Sequence, residues 1–183
     1  NFKTSDGGCT IETPLYPEEG VEVWELTESY GWKGTGAVKE ETNTYVTKFA
    51  AESSVVTPEI DLSEYKSATM TFNHAVNYAK KPSEKLSVEV RCEGKTTKLE
   101  GFAWPEGRDF KFVESGDIDL SAWVGKKINI VFHYTSTTSE APTWQVRDIA
   151  ITGVKGQPTT AIGNVTAGTQ GKFNPTLPYT MYD

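Results

Sequence analysis

The chain has 183 residues, enough for one domain with a proper core and short tails. Twenty-five acidic residues against eighteen basic ones give a net charge of −7, which argues against a nucleic-acid partner, because phosphate contacts need a positive patch. No run approaches the roughly 20 apolar residues of a membrane span. Asn1 opens no charged and apolar leader, so the expectation is an exported chain, secreted, periplasmic or on the cell surface, from which a signal peptide has been removed. Cys9 and Cys92 are too few and too far apart for a disulfide framework or a zinc site. One bridge between them and two free thiols both remain open.

In chain order, residues 1–20 hold Gly7, Gly8, Pro14, Pro17 and Gly20 and read as an irregular lead-in. A domain over residues 21–155 then shows short β segments separated by turn signals. Short candidates are Val21–Leu26, Gly36–Lys39, Tyr45–Phe49 and Ser54–Thr57. Ala68, Met70, Phe72 and His74 alternate with polar residues at strand spacing. So do Leu86, Val88 and Val90, and later Ile128, Ile130, Phe132 and Tyr134, with Phe110–Val113 a shorter candidate between them. From Trp144 to Ile151 apolar side chains fall on both faces, which predicts a central strand. Residues 156–183 carry two charges, Lys172 and Asp183, among Thr, Pro and Gly, and read as an extension or linker. No segment of helical periodicity stands out. The fold class expected is all-β, a two-sheet antiparallel jelly-roll β-sandwich with irregular terminal extensions.

An internal echo supports that architecture. Ile60-Asp61-Leu62-Ser63 recurs 58 residues later as Ile118-Asp119-Leu120-Ser121. Each is followed by an aromatic, Tyr65 or Trp123, and then by a strand. Asp and Ser offer oxygens to nearby backbone N–H groups, Leu turns inward, and the aromatic plugs the end of the core. Two such units suit the halves of a jelly roll built from two Greek keys.

The same residues carry a family resemblance. The run Glu52-Ser53-Ser54-Val55-Val56-Thr57-Pro58-Glu59-Ile60-Asp61-Leu62-Ser63, the strand Met70-Thr71-Phe72-Asn73-His74-Ala75, the strand Ile128–Tyr134 and the segment Thr143-Trp144-Gln145-Val146-Arg147-Asp148-Ile149 resemble, in that order, the choice-of-anchor J domains. Val23-Trp24 and Tyr30-Gly31-Trp32-Lys33 fit upstream. The likeness extends to cleaved-adhesin-like domains of secreted bacterial proteases and, more distantly, to MAM domains. Ser54 stands where the family has Trp, and the Asp- and Gly-rich calcium loop of adhesin relatives is missing between Trp32 and Glu52. The resemblance implies a bacterial surface module used in adhesion, in carbohydrate contact or as an appendage of larger enzymes.

The chemistry-bearing residues point the same way. His74 is in phase with Met70 and Phe72, hence a core histidine, and His133 is on a sheet surface. Neither pattern makes a hydrolytic triad, and no carboxylate pair has the strand spacing of a glycoside hydrolase, so an enzyme is not expected. No cofactor is expected; Asp148 reads as a buried carboxylate satisfied by hydrogen bonds, with calcium the alternative and Glu28 and Glu52 its candidate companions. Flat aromatic faces bind sugar rings. Trp24, Trp123 and Trp144 belong to the core on this reading, while Trp104, Tyr78 and Trp32, in or beside turns, are the candidate ligand-binding residues. The function expected is a non-catalytic binding or adhesion module whose partner is a glycan or an envelope or host protein. The alternatives are a protein-interaction or spacer domain and, last, a glycoside hydrolase.

Overall fold

A computed structural model describes residues 7–42 and 44–157 and the backbone of 172–173. The strands in chain order are β1 (Thr10–Leu15), β2 (Trp24–Thr27), β3 (Gly31–Thr35), β4 (Ala37–Lys39), β5 (Val46–Lys48), β6 (Ala51–Val56), β7 (Ile60–Asp61), β8 (Tyr65–Asn77), β9 (Leu86–Cys92), β10 (Lys95–Lys98), β11 (Asp109–Glu114), β12 (Ile118–Asp119), β13 (Lys127–Ser136), β14 (Thr143–Lys155) and β15 (Lys172–Phe173). A one-turn helix, α1 (Pro82–Lys85), precedes β9. One sheet runs β1-β6-β13-β9-β10, with β7 also on β13; the other runs β11-β8-β14-β3-β2, with β12 on β8 and β15 on β14. Strands β4 and β5 form a separate ribbon. The pairings are antiparallel. The protein is thus an all-β, two-sheet jelly roll, as expected. The lead-in is not wholly irregular, since β1 lies within it. Most of the expected extension, 156–183, lies outside the described residues.

Alternation explains the core. Met70, Phe72, His74 and Val76 of β8 face Leu86, Val88 and Val90 of β9 and Ile128, Ile130, Phe132 and Tyr134 of β13 across the sandwich, all buried. Strand β14 is central, but its two apolar faces have another cause. Between Arg147 and Ala150 it advances three residues while β8 advances two, from Asn73 to Thr71, a β-bulge. The extra residue switches the parity of the strand. Trp144 and Val146 face the core before it, Ile149 and Ile151 after it. Asp148, expected to be buried, is thrown out to solvent with φ 56°, a left-handed conformation that Asp tolerates better than most residues.

The echo is much longer in structure than in sequence. An offset of 58 residues superposes β6-β7-β8-β9 on β11-β12-β13-β14 pair by pair. Ile60 lies opposite Ile128 and Ile118 opposite Met70. Leu62 N–H donates to the Lys126 carbonyl, and Leu120 N–H donates to the Ala68 carbonyl, both at 2.8 Å. Ser63 N–H caps the Asp61 carboxylate at 2.9 Å, and Ser121 N–H caps that of Asp119 at 2.8 Å. A further pair was invisible as a motif. Buried Thr57 donates its N–H to the Ile130 carbonyl and accepts the Ile130 N–H on its hydroxyl, at 2.9 Å each. Buried Ser115 does the same to Phe72, at 2.8 and 3.0 Å. The two units interleave, because β8 of the first sits between β11 and β14 of the second, and β13 of the second between β6 and β9 of the first.

This pseudo-two-fold gives the sandwich two poles. The Ile-Asp-Leu-Ser turns occupy one, together with Thr10, where β1 begins, and Lys155, where β14 ends; their strand partners are Val56 and Tyr65. The loops after β8 and β13 gather at the other.

Candidate functional site

Two of the three expected ligand aromatics turn inward. Trp32, on β3, is buried and belongs to the core. Trp104 is half-buried and stacks in a cluster with Phe102, His74 and Trp144, at ring-centroid distances of 5.1, 5.0 and 5.6 Å. His74 organises that cluster. Its Nδ1 accepts the Trp144 indole N–H at 3.2 Å, so its Nε2 carries the proton and donates to the Ala103 carbonyl at 2.7 Å. Burial pushes its pKa down to about 4, so it is a neutral core histidine, as its phase predicted.

Tyr78 differs from both. The residue is 62% exposed, and Phe110, 42% exposed, meets its ring edge to face with centroids 6.1 Å apart. The residue sits at φ 64°, an uncommon conformation for a bulky side chain, with its N–H held by the Asn77 side-chain oxygen at 2.8 Å. It stands in a cleft of about 700 Å³ formed by loops 77–80, 107–108 and 137–140, with Lys48 and Lys85 at its sides.

Hydrogen bonds knit those loops together. Ala79 N–H donates to the Gly107 carbonyl, and Lys80 N–H donates to the Glu140 carboxylate at 3.2 Å. Lys48 Nζ donates to the Ser139 carbonyl at 3.3 Å, and the Thr137 hydroxyl accepts the Glu140 N–H at 3.0 Å. Gly107 is required here. Its φ is 88°, and a Cβ would collide with the Ala79 carbonyl oxygen. The lining carries Lys48, Lys80, Lys85 and Arg108 against the single carboxylate of Glu140. None of the four cations is in an ion pair among the described residues. A chain of net charge −7 thus gathers four basic side chains against one carboxylate in the lining of this cleft.

The metal candidates do not converge. Asp148 accepts from Asn73 Nδ2 at 3.0 Å and lies 3.6 Å from Arg147 Nε. Glu28 is exposed in the β2–β3 turn. Glu52 is on β6 of the other sheet, 3.5 Å from His133 Nε2. Among the described residues no three His, Cys, Asp or Glu side chains form a group able to hold a metal ion. No disulfide joins Cys9 to Cys92.

Two arrangements bear on catalysis. Ser54 Oγ lies 2.7 Å from His133 Nδ1, so Ser54, His133 and Glu52 form a line that sequence spacing gave no means to find. Ser54 is buried, however, and β6 is paired on both sides, which commits the neighbouring strand amides to the ladders and away from an oxyanion. A somewhat smaller groove of about 590 Å³ on the outer face of the β8–β14 sheet is lined by Glu114, Asp117 and Asp148. All three are exposed, whereas an acid–base pair needs one carboxyl kept protonated by its surroundings.

No protein-family model matches the chain, and no curated protein matches it in sequence. Among solved structures, one described as "CBM4 structure and function" is 14% identical with a TM-score of 0.47, over 82% of this chain and 98% of that one. The K3 cleaved adhesin domain of Lys-gingipain from Porphyromonas gingivalis w83 is 13% identical with a TM-score of 0.45, over 78% of this chain and 90% of that one. At these identities and scores no residue role passes from either protein to this chain.

The residues that sequence reasoning missed are Lys48, Lys80, Lys85, Arg108, Phe110 and Glu140. Lys80 beside Tyr78 was the one local signal. The rest converge through contacts between segments far apart in sequence, as Lys48 and Ser139, 91 residues apart, show.

Proposed function

We propose that this chain is a non-catalytic carbohydrate-binding module of an exported protein, acting in the periplasm or at the cell surface. A glycan lies in the polar cleft with one sugar ring against Tyr78. The observation that carries the reading is Tyr78 itself, an exposed ring held at a costly backbone conformation over a cleft lined by amide, hydroxyl and charged groups. Ring C–H groups pack on the aromatic face while the polar lining reads the hydroxyls. Trp104 enters as support, since with His74 it anchors the loop that delivers Gly107 and Arg108.

The test is a glycan and polysaccharide binding screen with the parent and Tyr78→Ala, run with calcium and with chelator. The reading expects a specific hit that survives chelator and weakens at least tenfold in the variant, at an unchanged melting temperature. Equal binding by parent and variant overturns the cleft.

A second reading, a protein-contact module, is favoured by the β4–β5 ribbon, where Tyr45 and Val46 are 73% and 52% exposed outside both main sheets. It expects a blank glycan screen and an envelope or host protein whose binding is lost in Val46→Lys.

A further inference from the structure

We infer that the cleft is selective for anionic sugars, ring units bearing a carboxylate or a sulfate group. This rests on the carbohydrate reading of the same site and adds the ligand's charge.

Three observations combine. The first is sign. Lys48, Lys80, Lys85 and Arg108 converge on one cleft with a single carboxylate, in a chain that is otherwise strongly acidic. The Glu140 carboxylate accepts from the Lys80 backbone N–H, and as the one acid of the lining it leaves positive charge in excess there. Cations lining a cleft focus the field on an incoming anion.

The second is geometry. Arg108 presents a planar fork suited to two oxygens of one anionic group, while the lysines act as point charges around it. Tyr78 supplies a ring face beside them, so charge and a flat apolar surface are offered together. That pairing fits a charged sugar ring and exceeds what a simple polyanion needs.

The third is the broken symmetry. The 58-residue offset preserves the scaffold, down to the Thr57 and Ser115 hydroxyl bonds. In the cleft it pairs unlike residues. Tyr78 corresponds to Ser136, Lys80 to Thr138, Arg108 to Ala50, and Lys48 to Glu106. The aromatic and the cations are departures from the repeat at the pole where loops of both units meet, and nothing in the scaffold's pairing requires them.

Affinity electrophoresis of the full chain tests this in gels containing polygalacturonate (carboxylate only), carrageenan (sulfate only), arabinoxylan or polyglutamate. Retention by polygalacturonate or by carrageenan, reduced at least tenfold by Arg108→Ala and by Tyr78→Ala and weakened by salt, supports the inference and identifies the anionic group. Lys126→Ala, at the opposite pole, serves as the control and leaves retention unchanged. Lys85→Ala is the second cleft variant and weakens retention without lowering the melting temperature. Retention by arabinoxylan alone overturns the anionic inference and keeps the carbohydrate reading. Equal retention by polyglutamate overturns it as charge alone. No retention by any glycan removes both.

Discussion

His74 is enclosed by Phe72, Phe102, Trp104 and Trp144, and both of its ring nitrogens are engaged. With its pKa pushed to about 4 by burial, against about 6.5 when exposed, the folded ring refuses a proton that the unfolded chain accepts. The stability tied to that neutral ring is fully present above pH 6.5 and is lost as pH falls toward 4, amounting to about 3 kcal/mol across the window. The melting temperature is expected to drop between about pH 6.5 and 5, and His74→Phe is expected to flatten that slope while lowering stability at neutral pH. A parent curve flat over that interval contradicts the assignment. The carboxyls of Asp61 and Asp119, held low by the Ser63 and Ser121 hydroxyls and amides, and that of Glu12, held low by Arg91, lose their contributions at more acid pH. Two aromatic substitutions separate packing from binding. Trp104→Ala lowers the melting temperature, because it opens the cluster around His74. Tyr78→Gly removes binding and leaves the melting temperature equal or higher, because it relieves the positive φ at a ring that packs little.

At the scale of elements, the paired hydroxyls make a quantitative prediction. Ser115→Ala strips an acceptor from the buried Phe72 N–H, and Thr57→Val does the same to Ile130, each at a cost of about 1–3 kcal/mol by chemical denaturation. The two losses are expected to be similar because the two environments are equivalent. Gly107→Ala is expected to destabilise by more than about 1 kcal/mol and to distort the cleft, since both φ and the Ala79 carbonyl oppose a side chain. Elements were readable from sequence where one face is buried without interruption. Strands β8, β9 and β13 announce themselves by period two. Strand β14 is central, as its apolar content predicts, but the alternation in its sequence does not show its faces, because a bulge changes parity without changing composition. Strand β1 was missed because it lies at a sheet edge with most of its residues exposed and holds Pro14, and β10 because Lys95–Lys98 contains no apolar residue. The site was less readable than the fold. Tyr78 was found as a turn aromatic, but turn position alone did not separate it from Trp32 and Trp104, whose fate is set by what packs over them. The cations gave no pattern because their meeting depends on topology.

In the whole molecule, neither four-stranded unit owns a complete sheet. Each needs the other's third strand between its own first and fourth. Residues 51–92 or 109–150 expressed alone are therefore expected to remain unfolded, with no near-UV circular dichroism, because each lacks the strand that joins its first to its fourth and with it half of the apolar surface opposite. The same arrangement fixes where the chain comes and goes. The start of β1 and the end of β14 share the pole opposite the cleft. At about 3.3 Å per residue, the 13 residues of β14 separate the poles by roughly 40 Å. A polypeptide passing through this fold departs from the side on which it arrived. The cleft sits like a fingertip, at the far end of the sandwich from both of these strand ends.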